Sequence, residues 1–178
     1  MKYSLIILIL LTVISCNSKR TKFKDTQDFN EYINNTENGF ISSVESKDFI
    51  FISKLSPPIV NDSFPQITIQ FRIKRKDGGS VLEFGNVNQN EILMREGYLS
   101  FGVENDVYLE SKSYKSPLLF NHYERNYGLK PSIDMFFRFK SIEATEDVSL
   151  YFEDKLFNQG LIKIDFNKEL FNKCYVEE

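Results

Sequence analysis

Tryptophan is absent from this chain, histidine occurs once and cysteine twice. A metal centre of the usual kind wants several His, Cys or carboxylate ligands at set spacings, and His122 with scattered acids does not supply them. No metal and no cofactor are therefore expected. Two cysteines cannot build a disulfide framework, so the core must hold the fold. Charge of one sign is also missing: the formal net charge is -3, too mild to argue for a nucleic-acid partner. No period of roughly 20 to 50 residues recurs, which excludes a repeat architecture. No apolar run reaches the roughly 20 residues that a membrane span needs.

The longest apolar run is the leader. Met1-Lys2-Tyr3-Ser4 precedes an almost wholly apolar stretch from Leu5 to Ile14, and Ser15 stands before Cys16. One basic residue, about ten apolar residues and a small residue at the cut make residues 1–15 a secretory signal. Val13-Ile14-Ser15-Cys16 resembles the lipobox of bacterial lipoproteins. That resemblance implies that Cys16 is acylated, palmitate being the expected kind of chain, and becomes the first residue of the mature protein. Membrane attachment through an N-terminal lipid follows, and Cys174 is left without an intramolecular partner.

Residues 16–24 read as a basic tether, since Asn17 to Lys24 hold four basic groups and one apolar residue. Near an anionic membrane each such charge adds on the order of 1 kcal/mol of attraction; the plainer reading is a soluble spacer. Surface-exported lipoproteins of some lineages carry an acidic run after the cysteine, and this run is basic, which points to the periplasmic side. Asn17 does not resemble the aspartate that retains some lipoproteins in the inner membrane, so the outer membrane is expected. The remainder, residues 25–178, has the size of a single domain able to bury a real core.

That domain should be mainly β. With 17 Phe and 9 Tyr, its composition suits pleated, half-buried strands. A short helix comes first: Asp25 or Thr26 caps it, Phe29, Tyr32 and Ile33 share one face, and Gly39 stops it. Phe49 to Ile52 reads as a strand buried on both faces and ended by Pro57-Pro58. Ile67, Ile69, Phe71 and Ile73 alternate with polar residues, and Asp77-Gly78 should turn that strand into a hairpin with Ser80 to Phe84. Asn86 to Glu96 suggests a helical turn or two with Ile92 and Leu93 inward. Tyr98 to Val103, Val107 to Glu110, Leu118 to Tyr123, Ile133 to Lys140, Val148 to Phe152 and Ile162 to Phe166 read as further strands. Glu104-Asn105-Asp106 and Asn158-Gln159-Gly160 read as turns. The expectation is an antiparallel β-sandwich of about eight strands with a short N-terminal helix.

Candidate functional residues are few. His122, Tyr123, Glu124 and Arg125 form the most polar stretch of the chain and could contact a ligand or partner. A nucleophilic pair of Cys174 and His122 lacks a recognisable motif, and Cys174 lies near a terminus where chains fray. Glu143, Glu146 and Asp147 read as one polar loop rather than as an acid-base pair. Arg72, Lys74, Arg75 and Lys76 are the densest basic cluster; they read as a solvated face that protects a sheet edge, or as a contact for lipid headgroups or an acidic partner. Phe136 and Tyr151 fall on nominally polar strand faces, where they are either interface anchors or part of a second buried face.

Asn35-Thr36-Glu37-Asn38-Gly39 and Tyr123-Glu124-Arg125-Asn126-Tyr127-Gly128-Leu129, together with the leader, resemble segments of an uncharacterised group of small lipoproteins from Bacteroidota-type bacteria. The resemblance implies a lipid-anchored β-domain and carries over no functional residue beyond Cys16. The expected role is a protein-binding or envelope-assembly module without catalysis. An immunity protein against a periplasmic toxin and a small-molecule-binding lipoprotein are the alternatives.

Overall fold

The computed structural model describes residues 21–57, 66–140, 145–172 and 174–176. The leader, Cys16, tether residues 17–20, Pro58 and Glu143 lie outside the described residues. Mainly β is the observed class: nine strands form two antiparallel sheets, with a few short helices.

The first sheet runs in the order β2 (Ile41–Glu45), β3 (Phe49–Ser56), β4 (Gln66–Arg75), β8 (Ile133–Lys140), β7 (Phe120–Glu124). The second runs β10 (Gly160–Phe166), β9 (Val148–Asp154), β5 (Val107–Glu110), β6 (Lys115–Pro117). Alternation decides which side of each strand is buried. Ile67, Ile69, Phe71 and Ile73 are fully buried, and so are Phe49, Phe51 and Leu55 on β3 and Met135, Phe137 and Phe139 on β8. Val148, Leu150, Phe152, Ile162, Ile164 and Phe166 face them from the second sheet. The Phe152 ring lies 5.2 Å from Phe71 and 6.2 Å from Phe51, so the two inner faces meet as a sandwich.

The early helix, α1 (Thr26–Asn34), forms: the Asp25 carboxylate accepts from the Asp28 N–H at 2.8 Å, and Phe29 and Ile33 are buried, but it ends at Asn34, and Gly39 stops a separate 3₁₀ turn at Thr36–Asn38 instead. Residues 21–24 are not all tether. Thr21–Phe23 is strand β1, paired in parallel with β11 (Cys174–Val176), and Phe23 packs 5.4 Å from Phe29. Cys174 therefore sits in a paired strand rather than in a frayed end.

Several expectations are corrected. Asp77-Gly78 does turn the chain, with Gly78 at φ 77 and its N–H bonded to the Arg75 carbonyl at 3.2 Å, but no strand follows. Both edges of β4 are already taken, by β3 and by β8, so Ser80 to Phe84 have no ladder to join. Phe49 to Ile52 is not buried on both faces, because Ile50 and Ile52 lie on the half-exposed outer side. Tyr98 to Val103 is not a strand either. A helix, α2 (Gln89–Gly97), continues into a π-helical turn at Tyr98–Gly102 and a 3₁₀ turn at Val103–Asn105. Leu99 and Val103, four apart, are the buried residues of that stretch, which is helical spacing. Leu93 points outward, 54% exposed, rather than inward. Strands β2 and β6 lie where no strand was expected.

Candidate binding surfaces

The outer side of the first sheet gathers most of the predicted site residues. Register places Arg72 opposite Asp134 and Asp134 opposite Glu124; one step along, Gln70 faces Phe136 and Phe136 faces His122. Lys74 joins from the same side of β4, opposite Ile50. Arg72, Lys74, His122, Glu124 and Phe136 thus share one face, and the imidazole lies 6.3 Å from the Phe136 ring. Three predicted residues do not join them. Tyr123 turns into the core, Arg125 lies beyond the end of β7, and Tyr151 stands on the second sheet, stacked on Tyr108 at 5.0 Å. Phe136 and Tyr151 are half-buried on outer faces, not in a second core.

Ion pairs order this face. Asp134, 2% exposed, accepts from Arg72 Nε, and Lys130 Nζ lies 3.9 Å from its other oxygen and 3.5 Å from Glu124. Arg75 pairs with Asp77, donates to the Ser80 carbonyl at 3.1 Å and lies over the Phe84 ring. The Gly79 N–H and then Arg75 hold the Asp77 carboxyl below its ordinary range. Between these groups opens a depression of about 380 Å³ lined by Arg72, Lys74, Arg75, Gly78, Gly79, Lys130, Pro131 and Ser132. Residues 121–125 do not line this depression.

Tyr123 carries a consequence for stability. Its hydroxyl is buried without a hydrogen-bond partner among the described residues, and burial, with Glu96 adding, pushes its ionisation up to about 12. The folded state holds this proton more tightly than the unfolded chain, whose tyrosines ionise near 10. Stability from this group is complete below about pH 10 and falls as pH rises towards 12. Tyr123→Phe should raise stability by about 1 kcal/mol, because it removes an unpaired buried hydroxyl, and should flatten that alkaline loss. Denaturant titrations at neutral pH and above pH 10 test both effects.

A second surface was missed from the sequence. Asn88 starts α2 with a capping box: its side chain accepts from the Asn90 and Glu91 N–H groups, and Glu91 accepts from the Asn88 N–H at 2.8 Å. Arg95 anchors the inner side, donating to the Leu82 and Phe84 carbonyls at 2.6 and 2.9 Å. The Tyr98 hydroxyl donates to Asp106 at 2.6 Å, and Asn121 donates to the Leu99 carbonyl at 2.6 Å within the π turn. With that side fixed, Leu93, Met94 and Phe101 stand outward, 54%, 74% and 79% exposed. Leu93 and Met94 on α2 and Phe101 on the π turn that extends it make an exposed apolar stripe on one continuous helical segment.

Close to α2 lies the turn Asn126 to Leu129, closed by the Leu129 N–H on the Asn126 carbonyl at 2.9 Å. Tyr127 adopts φ 50 and Gly128 φ 79, and Tyr127 and Leu129 are 85% and 86% exposed. A depression of about 310 Å³ separates this turn from Gln89, Ile92 and Glu96 of the helix.

Among the described residues no group of three His, Cys, Asp or Glu side chains could hold a metal ion, and no helix is long and apolar enough to cross a membrane. Comparison with protein-family models, with curated proteins and with solved structures finds no match.

Proposed function

We propose that this chain is a lipoprotein held in the outer membrane by acylated Cys16, its β-sandwich facing the periplasm as a protein-binding or envelope-assembly module without catalysis. The observation that carries the binding role is the stripe of Leu93, Met94 and Phe101, three large apolar side chains each more than half exposed on one continuous helical segment. Grouped exposed apolar residues mark interaction surfaces, and aromatic residues are enriched among binding hot spots. The tether supplies the mechanism: a lipid-held domain searches two dimensions, which raises its effective concentration near membrane partners. Were the partner a toxin, the same arrangement would serve as an immunity protein.

The test is purification of the tagged, acylated full chain from detergent-solubilised envelope, alongside Phe101→Asp. Phe101 is 79% exposed, so the variant should keep its stability within about 0.5 kcal/mol. The expected result is a stoichiometric partner with the native chain and at least a tenfold loss with Phe101→Asp, which corresponds to about 1.4 kcal/mol. Equal recovery with both chains would overturn the stripe as the binding surface.

A further inference from the structure

We propose that the depression lined by Arg72, Lys74, Arg75 and Lys130 is a binding site for a phosphorylated group. Four of its eight lining residues are cations and none is an acid. They arrive from two places in the chain: Arg72, Lys74 and Arg75 from the last residues of β4, and Lys130 from the segment leading into β8. The β4–β8 register, with Ile73 opposite Ile133, sets the two segments side by side at the rim of this depression.

The neighbouring carboxylates hold the cations without lining the space. Asp134 takes only Nε of Arg72, and the terminal nitrogens of that guanidinium make no hydrogen bond to a described residue. Asp77 and the Ser80 carbonyl hold Arg75 in place as a wall. The guanidinium lies against Gly79, where an added Cβ would come within 2.8 Å of it and push it aside. Lys74 has no ion-pair partner among the described residues, and Lys130 is half-exposed and held at 3.5 Å or more. Among the described residues the donors left over are the Arg72 fork, the Lys74 ammonium and the loosely paired end of Lys130.

Donors that arrive from two segments suit an oxyanion that offers acceptors on several sides. A tetrahedral phosphate does so, whereas a carboxylate presents its lone pairs in one plane. The volume, about 380 Å³, exceeds a bare phosphate and lies in the range of small-molecule sites, so the phosphate belongs to a larger molecule. The same chemistry is offered by a soluble phosphorylated compound and by a phospholipid headgroup. This site is independent of the apolar stripe, and the failure of either reading leaves the other standing.

The experiment is lysine acetylation read by mass spectrometry on the acylated full chain. One arm uses neutral detergent with and without inorganic pyrophosphate. The other uses phosphatidylcholine vesicles with and without phosphatidylglycerol. Lys163, on the second sheet, is the internal control. Selective protection of Lys74 and Lys130 by at least threefold is expected; protection by pyrophosphate identifies a soluble ligand, and protection by phosphatidylglycerol alone identifies a headgroup. In Lys74→Glu the calorimetric affinity for pyrophosphate should weaken at least tenfold in the first case, and vesicle protection of Lys130 should be lost in the second. No protection in either arm, protection of Lys163 to the same degree, or binding unchanged in Lys74→Glu would overturn the site.

Discussion

Phe152→Ala is expected to cost about 3–5 kcal/mol, the range for deleting a buried phenylalanine whose surroundings cannot collapse into the space. The side chain is 1% exposed and is the ring from the second sheet that meets both Phe51 and Phe71 of the first. Its loss opens a void between two sheets whose spacing is set by many other contacts, so relaxation should be small. For a domain of this size each kcal/mol lowers the melting temperature by roughly 2–4 °C, which puts the expected drop near 10 °C. Tyr151→Ala, one residue away and facing outward against Tyr108, should cost about 1 kcal/mol. Thermal unfolding followed by circular dichroism separates the two variants. Equal losses would mean that the inner and outer sides of β9 are wrongly assigned.

Asp106→Ala should be the most damaging polar substitution, at about 2–4 kcal/mol. The carboxylate is 4% exposed, accepts from the Tyr98 hydroxyl at 2.6 Å and pairs with Lys155. It ties the start of the π turn, at Tyr98, to Lys155 just after β9. Burial and then this hydrogen bond oppose ionisation of the Tyr98 hydroxyl, so removing the acceptor strands a partly buried donor. Lys155 is 52% exposed, and an ion pair open to solvent is worth at most about 1 kcal/mol. Lys155→Ala should therefore cost far less than Asp106→Ala in urea titrations. A comparable cost would shift the weight from the tyrosine to the ion pair.

The strands that could be read from the sequence are those with a clean period of two. Ile67 to Ile73 alternates strictly and Ile133 to Phe139 does so except at Phe136, and the two pair as neighbours inside the first sheet. Tyr98 to Val103 misled because its residue types favour strands, while the decisive fact is that Leu99 and Val103 are four apart and the Asn88–Glu91 cap starts a helix upstream. The expected hairpin at Asp77-Gly78 failed for a different reason. Its turn chemistry is local and correct, but whether a strand follows depends on β8, whose claim on the edge of β4 is set far along the chain.

The candidate surfaces divide along the same line. Arg72, Lys74 and Arg75 were legible as a basic cluster because they are adjacent. Lys130 was not, since only strand register brings it beside them. The exposed stripe of Leu93, Met94 and Phe101 is not legible from the sequence, because Phe101 reads as strand and Leu93 as inward-facing.

Anchoring through Cys16 is the claim on which the proposed role rests, and the N-terminal mass of the mature chain tests it most directly. Membrane fractions of cells producing the native chain and Cys16→Ser should be compared by mass spectrometry of the N-terminal peptide. The expected native peptide lacks residues 1–15 and begins at a cysteine carrying fatty acyl groups, while Cys16→Ser leaves the membrane or persists with its leader. A native chain with an unmodified Cys16, and a variant with the same processing and the same membrane fraction, would contradict it.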